Sequence, residues 1–360
     1  MFDPIVQHRC EAVHSFAHSP SSNPQAPWRA IVAVHSTQRG PALGGCRFVP
    51  YSSDQAALND AVRLAQGMSR KAALAGLDLG GGKAVIMMPE GVFDRQALFR
   101  WFGLCVERLS GEYITAMDAG TQVGDMDDVF KHTRHVASHS QIGDPSPHTA
   151  RGVFLSMEQV ITQILGQSIG SSRIAIQGLG HVGMSLAERL LVAGAQVWVS
   201  DLDAERCKVA QQLGATVVAP DQILQQPVDV LAPCALGAII SAETVDALQC
   251  QAIVGAANNQ LATAQIGAEL QQRNIVFAPD YLVNAGGLMF AAGRYHGWSD
   301  DRIAEQIEQI PSRLQEIVEL SEQRQHPVNV VADALADEAI ALGQFSTTQQ
   351  GLEREALWNL

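Results

Sequence analysis

Two lysines, Lys71 in "SRKAALAGL" and Lys83 in "GLDLGGGKAVI", stand in apolar, glycine-rich surroundings that do little to solvate a charge. Two ammonium groups sharing an apolar cleft depress each other's pKa, and desolvation adds to the effect. One could then act as a base near neutrality while the other stays charged and grips an anion. The glycines before Lys83 read at first as a phosphate loop, but a Walker loop requires G-x-x-x-x-G-K-[ST]. Leu77 occupies the place of its first glycine and Ala84 the place of its hydroxyl. The triplet therefore lets backbone pass close to something other than phosphate, with Lys83 expected at the start of a strand, "KAVIMMP".

A second glycine motif has the surroundings the first one lacks. In "RIAIQGLGHVGMSLAERLLVAGAQVWVSD" a β-rich run feeds Gly178, Gly180 and Gly183, and a helical pattern opens at His181. The first glycine permits a tight turn, the second a close approach of pyrophosphate, and the third close packing of helix on strand. Phosphates then meet free N–H groups at the positive end of the helix, here from Leu179, Gly180, His181 and Val182. Asp201 ends the next strand, where a carboxylate accepts from ribose hydroxyls and repels a 2′-phosphate, so NAD is expected over NADP. Arg206 is read as a solvated side chain on a helix start.

These groups need two scaffolds, and 360 residues suffice for two domains. Before residue 143 the pattern gives a strand at 29–36, a helix at 53–76, a strand at 83–89, a helix at 95–111 and a strand at 112–121. "GDPSPHTARG" (143–152) reads as a hinge, with a helix from about 151 to 166 beyond it. Short β-rich segments then alternate with helices, which describes a parallel sheet with helices on both faces. The chain past about 301 is helical. The expected fold is α/β: an N-terminal substrate domain, 1–147, joined by a C-terminal helix at about 335–360, and a Rossmann-type, doubly wound domain, 148–334, with the active-site cleft between them.

Composition narrows the class. Hydrophobic residues at 47% and charged residues at 17% suit a compact enzyme, and a net charge of −13 repels nucleic acid and anionic membranes. No apolar run reaches membrane-span length, and "MFDPIVQHRCEAVHSF" lacks the features of a secretory signal. Six scattered cysteines with no C-x-x-C pair suggest reduced thiols in a cytoplasm. His132, His135 and His139, and likewise Cys10, His14 and His18, have helical spacing that invites a metal. Neither set has a motif context, so surface imidazoles on a helix and no metal are expected.

"GPALGGCRF", "MSRKAALAGLDLGGGKAVI", "YITAMDAGT", "GDPSPHTARGV", "QGLGHVG", "APCALGAII", "GAANNQL" and "APDYLVNAGGLM" occur in that order. Together they resemble the glutamate/leucine/phenylalanine/valine dehydrogenase family over nearly the whole chain. The resemblance implies reversible oxidative deamination: an L-amino acid, NAD and water give a 2-oxo acid, ammonium and NADH. It makes Lys71 the ligand of the substrate carboxylate, Lys83 the lysine that activates water, and Asp118 the proton shuttle at the substrate nitrogen. Asn284 then reaches the substrate and nicotinamide region, and Thr149 lies beside the carboxamide. Cys234, Ala235, Ala256 and Asn258 belong to loops lining the cofactor cleft. Met117 and Cys46 depart from residues common in the family, an acid and a threonine.

The resemblance also speaks to substrate. Glutamate-specific members carry a lysine where this chain has Leu43, and burying a glutamate side-chain carboxylate there unpaired costs several kcal/mol. Leu43 and Ala116 instead resemble the apolar floor of a branched-chain pocket, with Gly44 also expected to bind substrate and a wall expected near Pro311 and Leu314. Leucine, isoleucine and valine differ by one methylene, worth about 1–3 kcal/mol. Phenylalanine and tryptophan dehydrogenases share the scaffold and are the alternative. A non-catalytic NAD sensor is disfavoured by the intact Lys71, Lys83 and Asp118. A 2-hydroxy-acid dehydrogenase is disfavoured because that chemistry uses a His–acid pair with an arginine clamp. A homo-oligomer, dimer or octamer, is expected.

Overall fold

The computed structural model describes residues 8–343 apart from 22, 25 and 236. Contacts divide the chain into two units, Met1–Gly143 with Leu335–Leu360, and Asp144–Ala334. The first holds a mixed sheet of β1 (Ala12–His18), β2 (Trp28–Ser36), β3 (Ala42–Val49), β4 (Gly80–Met87) and β5 (Tyr113–Met117), in the order β1-β2-β4-β3-β5. β2 pairs antiparallel with β1 and β4, while β3 pairs parallel with β4 and β5. The period of two along β4 splits its side chains between two cores. Ala84 and Ile86 join Phe48, Phe99, Phe102 and Tyr113 on one face. Val85 and Met87 meet Ala57, Ala61, Val62 and Ala65 on the other.

Those alanines belong to α1 (Asp54–Leu74), whose N-terminus is capped by Ser53 accepting from the Ala56 N–H at 3.1 Å. The opposite core is closed by α2 (Arg95–Glu107) and α3 (Val123–Phe130).

The second unit begins with α4 (Ser146–Gln159), which continues into a π-turn over Val160–Ile164. Its strands are β6 (Arg173–Gln177), β7 (Gln196–Ser200), β8 (Thr216–Val217), β9 (Val230–Pro233), β10 (Ala252–Ile253) and β11 (Val276–Phe277). All pair in parallel, in the order β11-β10-β9-β6-β7-β8. Read from β8, this is the 3-2-1-4-5-6 order of a dinucleotide-binding sheet, with its switch point between β6 and β9. Helix α5 (His181–Val192) links β6 to β7, α6 (Ala204–Gln212) links β7 to β8, and α7 (Ile266–Gln272) precedes β11. Only short 3-10 turns accompany the links to β9 and β10. There follow α8 (Asp280–Val283), α9 (Gly286–Tyr295), α10 (Asp300–Glu308), α11 (Ile310–Arg324) and α12 (Val328–Leu342). In the first unit, Arg70 holds Asp337 of α12 through two 2.8 Å hydrogen bonds, and Arg39 Nη1 donates to the Ala339 and Gly343 carbonyls.

Several local expectations need correction. β1 and β3 went unread because their polar and glycine residues interrupt the apolar run. The segment 143–152 is not a loop throughout, because Pro147 sits in the first turn of α4, where its fixed φ favours a helix. Lys83 lies within β4, since the glycines before it are themselves in the strand. His14 and His18 are on β1, and His132, His135 and His139 lie beyond the end of α3, so neither set is helical. His139 stacks on Phe130 at 3.9 Å between centroids, and His135 packs beneath Gly111. Of the expected C-terminal helix, residues 344–360 lie outside the described residues. Among the described residues no helix is long and apolar enough to cross a membrane, and no group of three His, Cys, Asp or Glu could hold a metal.

Candidate active site

The glycine triplet is a place where three elements press on one strand. A Cβ on Gly80 would strike the Ser36 carbonyl, one on Gly81 the Ser69 backbone, and one on Gly82 would come within 2.8 Å of the Tyr113 ring. α1 thus reaches β4 at Ser69 against Gly81, and each chain carries its lysine two residues further on, Lys71 and Lys83. Lys71 is half-buried in the last turn of α1. Lys83 is only 6% exposed, and its Nζ lies 2.6 Å from Asp118 Oδ2. The sequence set one lysine against the other; the tertiary structure sets Lys83 against a carboxylate.

Register assembles the rest of this face. On β3, Leu43, Gly45 and Arg47 alternate with Ala42, Cys46 and Phe48, which enter the aromatic core. Leu43 is level with Gly81, and Gly45 with Ala116 of β5, so Leu43, Arg47, Lys83 and Ala116 share one surface of the sheet. Gly45 makes room for the acid: a Cβ there would stand 2.7 Å from Asp118 Cβ. Gly44 faces elsewhere, its carbonyl accepting from the buried Tyr113 hydroxyl at 2.7 Å. Leu43 is buried at 2% exposure and Ala116 is half-buried.

Asp118 follows β5 and is fixed by Thr121, whose Oγ1 accepts from the Asp118 N–H at 2.8 Å and donates to the Asp118 carbonyl at 2.7 Å. Its Oδ2 also accepts from Arg47 Nε at 3.2 Å. Burial by itself would push this carboxyl up, but the charge and hydrogen bond of Lys83, then the charge of Arg47, hold it below its ordinary range. Arg47 was missed in the sequence, and with it Asp60, whose Oδ2 accepts from Arg47 Nη1 at 2.8 Å and from the Tyr51 hydroxyl at 2.7 Å. The signal available was the two-residue spacing Leu43-Gly45-Arg47, which puts the arginine on the face of the pocket residue.

In the second unit the cofactor candidates gather at the switch point. Gly178 has φ +95°, a backbone region L side chains avoid, and a Cβ there would come within 2.7 Å of Ala235 Cβ. Gly183 packs so closely that a Cβ would strike the Gly178 carbonyl, with Cys234 Cβ 3.3 Å away. Nothing lies within 4 Å of a Cβ on Gly180, the N-cap of α5. A close turn, an open face at the middle glycine and the N–H groups of Gly180, His181 and Val182 fit a pyrophosphate, whereas the expected N–H of Leu179 is already taken. Asp201 sits after β7, but its oxygens already accept from the Leu179 N–H at 2.6 Å and the Asp203 N–H at 2.8 Å. The acid therefore ties down the glycine turn, a role its position in the sequence did not announce. Despite burial, those N–H bonds and Arg206 keep its carboxyl below the usual range.

Asn284 is 3% exposed and donates to the Ala256 carbonyl at 3.0 Å and Asn258 Oδ1 at 2.8 Å, which brings those three together. Thr149 donates to the Pro145 carbonyl at 3.2 Å, and a Cβ on Gly287 would strike its hydroxyl. Pro311 opens α11, and Leu314 is wholly buried within the second unit.

Comparison with known proteins adds an independent line. Residues 14–135 match the model of the Glu/Leu/Phe/Val dehydrogenase dimerisation domain, and residues 199–347 match that of the Glutamate/Leucine/Phenylalanine/Valine dehydrogenases. The chain is 40% identical to the leucine dehydrogenase of Thermoactinomyces intermedius over 320 residues, 87% of each chain. It is 38% identical to the L-tryptophan dehydrogenase of Nostoc punctiforme over 339 residues, 93% of this chain and 94% of the other. A crystal structure of L-tryptophan dehydrogenase from that organism superposes with TM-score 0.84 at 35% identity, covering 96% of this chain and all of the other. A hetero-hexameric glutamate dehydrogenase from Thermus thermophilus, in its Leu-bound form, is alike in fold with TM-score 0.76 at 22% identity, covering 93% and 89%.

Proposed function

The chain belongs to the Glu/Leu/Phe/Val dehydrogenase family, and on that premise we propose that it catalyses NAD-dependent, reversible oxidative deamination of a branched-chain L-amino acid. Membership makes it an amino-acid dehydrogenase working with a nicotinamide dinucleotide; the choice of NAD and of substrate is our reading. The observation that carries it is the Lys83–Asp118 pair at 2.6 Å on a sheet face whose neighbouring pocket position is the buried, uncharged Leu43.

In this reading Lys71 binds the substrate α-carboxylate, which fixes Cα. The amino group approaches Asp118, and the carboxylate takes a proton from nitrogen so that the amine becomes a neutral electron donor. The hydride at Cα would pass to the acceptor that a bound nicotinamide dinucleotide supplies. Water then adds to the imine carbon as Lys83 removes its proton, and Asp118 returns a proton to the departing nitrogen. Asn284 orients substrate. Gly180, His181 and Val182 hold the pyrophosphate over the turn that Gly178 and Gly183 permit and that the Leu179 N–H ties to Asp201, and Asp201 disfavours a 2′-phosphate. Thr149, Cys234, Ala235, Ala256 and Asn258 line the cofactor's place.

One observation favours a second reading. The L-tryptophan dehydrogenase is comparably similar in sequence and covers nearly the whole chain in structure, so an aromatic amino acid is the alternative substrate. A homo-oligomer, dimer or octamer, is the proposed assembly, supported by the dimerisation-domain match. The described cysteines are all free thiols, in keeping with a cytoplasmic setting. Steady-state rates at 340 nm with NAD and leucine, valine, isoleucine, phenylalanine, tryptophan and glutamate test the reading. The highest kcat/KM is expected on a branched-chain substrate; a maximum on tryptophan or phenylalanine selects the alternative, and one on glutamate overturns both.

A further inference from the structure

We propose that Arg47 is a positioning residue for the deamination, a permanent cation that keeps Asp118 charged and in place while Lys83 changes its protonation state. The inference rests on the reading of Lys83 and Asp118 given above. Both cations converge on one oxygen: Asp118 Oδ2 lies 2.6 Å from Lys83 Nζ and 3.2 Å from Arg47 Nε. When Lys83 gives up its charge to act as a base, the carboxylate loses its nearest counter-ion. A carboxylate whose side chain is only 25% exposed takes up a proton more readily once its counter-ion is lost, unless another cation remains. A guanidinium does not titrate in the working range of an enzyme, so Arg47 supplies that cation at every stage.

Arg47 is itself held from behind. Its Nη1 donates to Asp60 Oδ2 at 2.8 Å, the same oxygen accepts from the Tyr51 hydroxyl at 2.7 Å, and Arg63 Nη2 reaches Asp60 Oδ1 at 2.9 Å. Asp60 thus anchors the guanidinium and also competes with Asp118 for its charge. Asp118 faces Lys83 of β4 and Arg47 of β3, and its charge is also felt through the sheet by the Cys46 thiol of β3 and the Tyr113 hydroxyl of β5. Asp60 and Arg63 of α1 and Tyr51 act through Arg47. Asp125 of α3 is held by Arg95 through two 2.7 Å hydrogen bonds.

The test is the pH profile of kcat in the deamination direction for the full-length enzyme. Arg47→Gln removes positive charge from the cluster, so its acid limb moves to higher pH by about one unit, with KM for the amino acid and for NAD changed less than about threefold. Arg47→Lys restores the position of the limb. Asp60→Asn removes the competing carboxylate, so the limb moves to lower pH; this near-isosteric variant serves if Arg47→Gln does not fold. Opposite shifts in the two variants support the proposal, because a merely structural role predicts lower amplitude with no shift. Superimposable limbs in either folded variant, or Arg47→Lys shifted as far as Arg47→Gln, overturn it. Lys83→Ala separates this from the underlying reading. An inactive Lys83→Ala with unmoved Arg47→Gln and Asp60→Asn profiles sinks the inference alone, whereas an active Lys83→Ala sinks both.

Discussion

Lys83 Nζ and Asp118 Oδ2 stand 2.6 Å apart, one on the third strand of the sheet and the other just past its edge, with the backbone of Gly45 making room for the acid. This pair gathers the two proton-transfer groups of the proposed reaction in one place. Lys83→Ala is therefore expected to lower the deamination rate by about 10³-fold or more, while NAD binding, read by quenching of protein fluorescence, is unchanged. Loss of NAD affinity in that variant would refute the division of labour between the two units.

Asp118 carries a stability signature of its own. Its carboxyl is held below the ordinary range by Lys83 and Arg47, so the folded state binds its proton less readily than the unfolded chain. That stabilisation is complete above the ordinary carboxylate range and is lost as pH falls through the depressed folded-state value. Urea titrations from neutral pH to about pH 3 should show wild-type stability falling more steeply than that of Asp118→Asn. Parallel curves would mean that the pair contributes nothing to the fold.

The two glycine motifs should respond oppositely to alanine. A methyl at Gly81 strikes the Ser69 backbone, so Gly81→Ala should lose roughly 3 kcal/mol of stability or fail to fold. At Gly180 the same methyl meets nothing within 4 Å. Gly180→Ala should melt like the wild type yet bind NAD about tenfold more weakly, because the pyrophosphate needs that space. Calorimetry with and without NAD distinguishes the two.

Pocket charge should redirect substrate choice. Leu43→Lys places an ammonium at a position 2% exposed, and leucine turnover should fall about 100-fold or more as that charge is desolvated against an apolar side chain. Glutamate turnover should appear in the same variant. A leucine kcat/KM left intact would remove Leu43 from the pocket.

Asp201 should show two effects at once. Asp201→Ser removes the carboxylate proposed to exclude a 2′-phosphate, so the NADP/NAD ratio of kcat/KM should rise about tenfold. It also cuts the 2.6 Å tie to the Leu179 N–H, so affinity for both cofactors should fall. An unchanged ratio would leave Asp201 with the structural tie alone.

What the amino-acid sequence determined by itself was short in range. The β6–turn–α5 unit with its three glycines and following acid was legible because close turns, helix starts and period-two strands are local dihedral matters. Spacing around the glycine triplet could only exclude a phosphate loop, its amine chemistry being what the family resemblance implied, and the helices read into the histidines failed because spacing alone cannot separate a strand or a turn from a helix. The tertiary structure decided which strands are neighbours. Arg47 and Asp118 are 71 positions apart, and only the order β4-β3-β5 brings arginine, lysine and carboxylate onto one oxygen. Side-chain periodicity tells a strand which face it presents; burial of both cores at once chooses the partner beside it, and so chooses the counter-ion of Lys83.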